Sequence, residues 1–297
     1  MILRWIKKWK LIVADTVTGL GLFWLAVEMS SYMTSGVVDH LFKEPWFALP
    51  IMVLIFIIAI LKNKPKTSFS SRIRKKDNFI EVKVGDAFKN KGALIVPIND
   101  HFDLTLGGNV AKANSLQNKL ICDYYGGRHE HLEADIKDKV SQNTENPIGT
   151  TVEVENNNKR FYLLANSHKL ENNRVKASID DLITSLASVW DFIGNESGRN
   201  KYVTIPLVNS GHGRNASLTK MTTAKEIIDS YIEANKQINV CERLIIAIHP
   251  DDIKNGLVNL DELQEYLNAA CNHYKQVIMA PKENGDNVPS QVIAIDN

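Results

Sequence analysis

The chain has 297 residues, with 35 Lys and Arg against 34 Asp and Glu, which suits one or two ordinary domains. Positions 1–76 hold 12 basic and 4 acidic residues, whereas positions 77–297 hold 23 basic and 30 acidic residues. An acidic larger part excludes the concentrated basic face that a nucleic-acid binder needs, so no nucleic-acid partner is expected. Three cysteines without a CxxC or Cys/His spacing predict neither a disulfide framework nor a zinc site.

Two apolar runs near the N-terminus predict a transmembrane two-helix hairpin over residues 1–62. The first run, 11–27, is interrupted by few polar residues, and the second run, 46–61, contains no charge. Each lies near the lower limit of the roughly 17–25 residues that cross about 30 Å of hydrocarbon. A signal peptide or a buried core helix is the alternative for the first run, but the second apolar run that follows it favours a hairpin.

Basic residues on the outer flanks of the hairpin predict its orientation. Four Lys and Arg precede the first run and seven follow the second, whereas Lys43 is the only one in the turn between them. By the positive-inside rule both termini are cytoplasmic, in a multi-pass protein of the cell inner membrane. Asp15 and Glu28 are either interfacial or line a polar seam between assembled hairpins, where Gly19 and Gly21 permit close helix packing.

The basic, Ser-rich stretch 63–77 is typical of a juxtamembrane linker that contacts anionic lipid. Residues 78–297 predict one α/β domain, a mixed sheet flanked by helices, because apolar strand patterns alternate with helical spacings. The predicted strands are 79–84, 93–98, 152–154, 161–165, 203–208 and 244–248. The predicted helices begin after Ser178, at about 218 and at 260.

Two polar, glycine-bearing loops follow predicted strands of this domain. In an open α/β sheet, ligands bind beyond the carboxyl ends of the strands, and glycines there let backbone N–H groups approach a phosphate. Neither loop is a Walker A or a GxGxxG motif, so the usual nucleotide motifs are absent from the sequence. The first loop contains Asn99, Asp100, Gly107, Gly108 and Asn109, and the second contains Asn209, Ser210, Gly211, His212, Gly213 and Arg214.

The order of these motifs resembles that of macro domains over residues 79–267. The matching segments are Gly85 with Asp86, then 94–100, 107–111, 148–150, and 205–206 followed by 209–211. They are similar, in that order, to GD(I/V), VNAAN, GGGVA, GxA, and (F/I)P followed by STGxxG. Macro domains bind ADP-ribose, so the resemblance implies that Asp86 accepts a hydrogen bond from the adenine amino group. It also implies that the loops at 107–110 and 209–213 hold the phosphates.

Several positions depart from the macro-domain pattern. The terminal Asn of VNAAN falls on Asp100, with Asn99 one place earlier, and the third Gly of GGG is Asn109. The STGxxG loop is one residue short and carries His212 where an aromatic or apolar residue often covers the ribose. The family's hydrolase chemistry relies on that Asn and on the GGG loop to place water. The departures therefore favour binding without turnover, and we expect the protein not to be an enzyme.

A membrane hairpin followed by a divergent macro domain is similar to the membrane effectors of bacterial Thoeris antiphage defence. This resemblance implies a signalling ligand rather than a cofactor. A TIR-domain partner makes an ADP-ribose derivative, such as a histidine conjugate, that the macro domain senses. Binding then induces homo-oligomerisation, and the assembly disrupts membrane lipid. A membrane-tethered ADP-ribosyl hydrolase, a non-catalytic ADP-ribose reader and a structural anchor are the alternatives.

One short His-Glu-His sequence offers a metal-ligand alternative. His129 and His131 flank Glu130 in a polar stretch that follows Gly126 and Gly127. A solvated loop is the favoured interpretation of this stretch, and no metal site is predicted.

Overall fold

The computed structural model divides the chain into two compact units, Met1–Thr67 and Ser68–Asn297. The first unit contains helices, and the second contains a large sheet with helices. The residues that the structure describes are 2–33, 45–63, 67–104, 115–171, 175–195, 200–208, 218–273, 277–279 and 292–294.

The N-terminal unit consists of helices α1 (Ile2–Met33) and α2 (Pro45–Lys62). Length and apolar composition make one described stretch a candidate membrane span, Trp9–Met33 of α1, with 25 residues. At 1.5 Å per residue it is about 37 Å long, which exceeds the hydrocarbon thickness of about 30 Å. A core helix would also pass this test, but only 6% of the apolar window is buried. The apolar part of α2, Leu49–Lys62, is shorter and is not a candidate span by the same criteria. Among the described residues, the structure therefore supports one of the two predicted spans.

Polar side chains pair where α1 and α2 contact each other. The carboxylate of Asp15 accepts a hydrogen bond from Asn63 Nδ2 at 2.7 Å and lies 3.0 Å from Lys62 Nζ. Gly19 allows a close helix contact, because a Cβ atom there would lie 2.7 Å from Ile55 Cγ2. The charge of Asp15 is therefore paired within one chain. The polar seam between assembled hairpins stays a prediction.

The second unit is built on an eight-stranded mixed sheet, and the six predicted strands are confirmed, although β5 is much longer than predicted and β7 ends two residues earlier. The strands are β1 (Ser68–Arg72), β2 (Phe79–Val84), β3 (Ala93–Asn99), β4 (Thr151–Asn156), β5 (Lys159–Lys169), β6 (Val175–Lys176), β7 (Tyr202–Pro206) and β8 (Arg243–Ile248). The helices are α3 (Leu116–Tyr124), α4 (His129–Ile136), α5 (Ile179–Asn195), α6 (Lys220–Gln237), α7 (Pro250–Lys254) and α8 (Leu260–Asn272). A separate antiparallel pair is formed by β9 (Val277–Met279) and β10 (Val292–Ala294).

The strand order of the large sheet is β1-β2-β8-β7-β3-β5-β4, with β6 paired to β5. Strands β2, β8, β7, β3 and β5 are parallel to one another. Strand β1 is antiparallel to β2, and β4 and β6 are antiparallel to β5. The five parallel strands therefore end at one common edge, which we call the carboxyl edge.

Helices cover both faces of the sheet, because neighbouring residues of the central strands belong to different hydrophobic cores. Ile95 of β3 packs in a core with buried residues of α5, α6 and α8, whereas Leu94 packs in a core with residues of α3 and α4. Trp190 of α5 is fully buried, and its indole N–H donates to Ser230 Oγ of α6 at 3.0 Å. Burial on both faces explains why the sequence of β3 is a continuous apolar run.

The predicted linker at 63–77 is wrong in its second half. Ser68–Arg72 forms β1, which pairs antiparallel with β2 from Ser68 opposite Lys83 to Arg72 opposite Phe79. Exposed and half-buried residues alternate along β1, as they do in an edge strand, and Ile73 after it is fully buried. The serines hide this alternation in the sequence, because they carry no apolar signal.

A tight turn joins β4 to β5 at the three consecutive asparagines. Asn157 has φ +51° and Asn158 has φ +57°, and Asn156 pairs with Lys159. Two successive residues with positive φ are typical of a type I′ hairpin turn, where asparagine is favoured.

Gly92, directly before β3, gives a test of this fold. Its φ is +78°, and a Cβ atom would lie 2.1 Å from the backbone oxygen of Tyr202. We expect Gly92→Ala to lower the free energy of unfolding by more than about 3 kcal/mol, because positive φ and a backbone clash act together. Gly256→Ala is the matched control, with φ +71° and open space, and should cost about 1–2 kcal/mol. Denaturant unfolding of residues 68–297 measures both, and equal losses would contradict the close approach of β3 and β7.

Candidate ligand-binding site

The predicted site residues that the structure describes lie at the carboxyl edge. Asp86 follows β2, and Asn99 and Asp100 lie at the end of β3. The predicted phosphate-loop residues lie outside the described residues, and their placement stays a prediction. These residues are Gly107, Gly108, Asn109, Asn209, Ser210, Gly211, His212, Gly213 and Arg214.

Asp86 presents a partly exposed carboxylate at this edge. One oxygen accepts a hydrogen bond from the Phe88 N–H at 3.1 Å and caps a short 3₁₀ helix, and the other pairs with Lys119 of α3 at 2.5 Å. Burial alone would raise the pKa of Asp86, but the hydrogen bonds from Lys119 and Phe88 outweigh it and hold the pKa below its usual value. The side chain is 27% exposed, so an ionised acceptor is within reach of a ligand.

Asn99 holds the loop after β3 in a tight turn. Its buried side-chain oxygen accepts hydrogen bonds from the backbone N–H groups of His101 at 3.0 Å and Asp103 at 3.2 Å. Phe102 within this turn has φ +47° and is buried, a conformation that a bulky residue rarely adopts. The Nδ2 of Asn99 has no hydrogen-bond partner in the part of the chain that the structure describes. One buried donor therefore remains available at the end of β3.

The carboxylate of Asp100 is 2% exposed and is surrounded by protein donors. One oxygen lies 2.6 Å from His101 Nδ1 and 2.9 Å from the Lys169 N–H, and the other lies 2.9 Å from His168 Nδ1. Burial alone would raise the pKa of Asp100, but the hydrogen bonds from its three partners lower it. Asp100 thus joins the loop after β3 to the end of β5, and its predicted contact with a ligand stays a prediction.

Sequence reasoning missed His168, the second-last residue of β5, which lies beside Asp100. Its Nε2 lies 3.3 Å from Asp181 Oδ1 of α5, and Asp181 also exchanges two hydrogen bonds with Ser178 at the beginning of that helix. Burial alone would lower the pKa of His168, but its bond to Asp100 and the charges of both carboxylates raise it. The predicted strand stopped at Ala165 because the apolar run ends there, so the polar end of β5 carried no strand signal.

A second ion pair at the same edge was also missed. Lys169 Nζ lies 2.7 Å from Asp103 Oδ2, and both side chains are largely buried. Gln117 of α3 donates to the backbone oxygen of Asp103 at 2.8 Å. These contacts fix the start of the loop after β3 against β5 and α3.

The His-Glu-His sequence does not form the solvated loop that was predicted. His129 and His131 lie in the first turn of α4, where Glu130 supplies an acidic residue near the helix N-terminus. His129 Nε2 is 3.6 Å from the carboxylate of Glu130. Neither histidine belongs to the group of potential metal ligands found among the described residues.

Comparison with protein families decides the assignment. The family model for the macro domain of Thoeris protein ThsA matches residues 80–249, which is more than half of the chain. The chain belongs to this family. The match runs from β2 to the residue after β8 and includes Asp86 and both predicted phosphate loops. The expectation of a macro-like α/β domain is therefore confirmed.

Solved macro domains are similar to this chain at low sequence identity. A mutant macrodomain of Oceanobacillus iheyensis with ADPR is 12% identical, covers 67% of this chain and 98% of its own, and has a TM-score of 0.49. The macro domain of ganglioside induced differentiation associated protein 2 is 14% identical, covers 62% of this chain and 83% of its own, and has a TM-score of 0.42. No curated protein sequence matches the chain. The assignment rests on the family match.

Asp100 allows a test of the side-chain contacts at the carboxyl edge, because macro domains have asparagine at the matching position, the last residue of VNAAN. We expect Asp100→Asn to lower the free energy of unfolding by about 2–3 kcal/mol, since it removes a buried charge that two histidines face. Asp138→Asn changes an exposed carboxylate and should have almost no effect. Denaturant unfolding near neutral pH compares the two. An Asp100→Asn variant as stable as the parent would show that the histidines do not depend on this charge.

Proposed function

We propose that the macro domain binds an ADP-ribose-type nucleotide along the carboxyl edge of its sheet. The observation that carries the proposal is the placement of Asp86 after β2 and Asn99 at the end of β3. Three strand spacings separate these strands in the sheet order, and at about 4.8 Å per spacing they lie about 14 Å apart. An elongated ligand with a base at one end and a ribose at the other can contact both side chains, whereas a compact ligand cannot.

Each end of the edge offers the polar group that such a ligand needs. The ionised carboxylate of Asp86 can accept from the adenine amino group, and Asn99 Nδ2 can donate to a ribose hydroxyl. The two glycine-bearing loops follow β3 and β7, which are neighbours in the sheet. A diphosphate in the middle of the ligand would therefore lie where both loops begin.

We propose that the bound nucleotide is not hydrolysed. Macro-domain hydrolysis relies on the asparagine at the position of Asp100 and on a third glycine at the position of Asn109. The Asp100 carboxylate is buried, and its oxygens already contact His101, His168 and the Lys169 N–H, so it lacks the free amide that the family's asparagine supplies. A non-catalytic ADP-ribose reader fits these contacts better than an ADP-ribosyl hydrolase does.

The N-terminal unit extends the proposal to a membrane. We propose that α1 and α2 form a hairpin in the cell inner membrane with both termini and the macro domain in the cytoplasm. The 25-residue apolar part of α1 and the basic residues on the outer flanks support this orientation. Asp15 pairs with Lys62 and Asn63, close to the end of α2, and in the proposed topology this paired charge would lie at the cytoplasmic border of the hairpin.

The membrane hairpin and the sensor together support a signalling role in antiphage defence. We propose that a TIR-domain partner supplies the ligand as an ADP-ribose derivative, for example a histidine conjugate. Binding would favour a homo-oligomer, and the assembled hairpins would disrupt membrane lipid. A ligand can shift this equilibrium only if it binds the assembled state more tightly than the single chain. We propose that the loops at the carboxyl edge supply this difference through contacts between subunits.

Calorimetric titration of residues 68–297 with ADP-ribose tests the binding site. We expect saturable binding, no release of ADP-ribose when the same domain is incubated with an ADP-ribosyl conjugate, and a ten- to hundredfold weaker affinity for Asp86→Ala. Loss of a charge-assisted hydrogen bond of about 1.5–3 kcal/mol corresponds to that range. Asp123→Ala, which removes an exposed carboxylate of α3, should bind normally.

A second variant separates the ligand contact of Asp86 from its ion pair. Lys119→Met removes the partner of Asp86 and keeps the carboxylate, so binding should be retained. Equal losses in Asp86→Ala and Lys119→Met would assign the effect to the ion pair. Retained affinity in Asp86→Ala would place the site elsewhere, and release of ADP-ribose from an ADP-ribosyl conjugate would support the hydrolase instead.

Full-length protein in detergent tests the effector role. Saturating ligand should raise the particle mass measured by light scattering and should release dye from liposomes that contain the protein. Deletion of residues 1–67 should leave binding intact and abolish dye release. If neither the mass nor the leakage changes at saturating ligand, the effector proposal fails while the binding site can still stand.

A further inference from the structure

A group of three potential metal ligands lies beside the loop after β3. Asp100, Glu145 and His168 each offer one ligand atom, and these atoms lie within 4.8 Å of one another. They come from the end of β3, from the loop between α4 and β4, and from the end of β5. The group is mixed, with one imidazole and two carboxylates, which is a donor set that zinc accepts.

The contacts of His168 resemble those of a metal-binding histidine whose second ring nitrogen is hydrogen-bonded to a carboxylate that does not bind the metal. Its Nε2 lies 3.3 Å from Asp181, and two reciprocal hydrogen bonds with Ser178 hold that carboxylate in place. Metal-binding histidines usually donate their second ring N–H to such a carboxylate. Nδ1 of His168 lies at hydrogen-bond distance, 2.9 Å, from the Asp100 carboxylate. A zinc ion can replace the proton that these two atoms share, because metal ligands bind in their deprotonated form.

Glu145 adds a second negative charge at the open side of the group. Asn146 donates to the backbone oxygen of Asp100 through both its backbone N–H and its side chain, each at 2.9 Å. These bonds hold residue 145 next to Asp100. Within the described ranges the exposed carboxylate of Glu145 makes no hydrogen bond or ion pair, so it is free to turn towards a cation.

We propose that Asp100, Glu145 and His168 bind one zinc ion, with water as the fourth ligand. Ligand atoms about 2.0–2.1 Å from a tetrahedral ion lie about 3.3 Å apart, close to the 2.9 Å between Asp100 and His168. The Glu145 ligand atom lies within 4.8 Å of the other two, and its exposed side chain can turn towards the ion. The ion links three separate segments of the carboxyl edge and stabilises the turn that contains Asn99. This proposal does not depend on the identity of the nucleotide.

Zinc titration of the full-length protein in detergent, after removal of metal with a chelator, tests the site. We expect one ZnCl₂ per chain by calorimetry and a higher melting temperature with zinc. Glu145→Gln and His168→Gln should each weaken zinc binding at least tenfold. Asp181→Asn should weaken it by about ten- to a hundredfold, although Asp181 is not a ligand. His131→Gln and Glu130→Gln, on α4, are the matched controls and should bind zinc as the parent does.

Because Glu145 is exposed, its variant keeps the fold and makes the result decisive. No zinc binding by the parent, or unchanged affinity in Glu145→Gln or His168→Gln, would overturn the proposal. Loss of affinity in the His131→Gln control equal to that in His168→Gln would also overturn it, since it would place the ion on α4.

Discussion

Four parallel strands buried on both faces, β8, β7, β3 and β5, are the constraint on which the rest of the domain depends. Helices α5, α6 and α8 cover one face, and α3 and α4 cover the other, so polar chemistry is confined to the ends of the strands. The carboxyl edge collects Asp86, Asn99, Asp100 and His168 from the ends of β2, β3 and β5. The edge is therefore a consequence of burying the sheet, and ligand specificity depends on the side chains and loops placed there.

The same edge shows how one departure from the family pattern is accommodated. An aspartate in place of the usual asparagine introduces a charge into a site that is almost fully buried. His101 and His168 lie at hydrogen-bond distance from that charge, and Asp181 lies at the far side of His168. Because these partners bind the carboxylate, Asp100 fixes the loop after β3 to the end of β5. The proposal that the domain binds a nucleotide without consuming it draws on these contacts.

Much of this fold could be predicted from local sequence, whereas part of the site could not. Apolar runs such as 93–98 predict buried strands, and a polar residue after such a run falls at the carboxyl edge, as Asp86 does. The Lys119 partner of Asp86 and the Asp181 partner of His168 depend on contacts between elements that are distant in sequence. Strand β1 was missed because serines carry no apolar alternation, and the shorter apolar part of α2 leaves the second membrane span a proposal.

The central claim is that the carboxyl edge holds an intact nucleotide between Asp86 and the end of β3. A crystal structure of residues 68–297 grown with ADP-ribose tests it most directly. The account predicts the adenine amino group within hydrogen-bond distance of the Asp86 carboxylate, the diphosphate at the loops after β3 and β7, and an unbroken ligand. A nucleotide bound away from this edge, or one split into products, would contradict it.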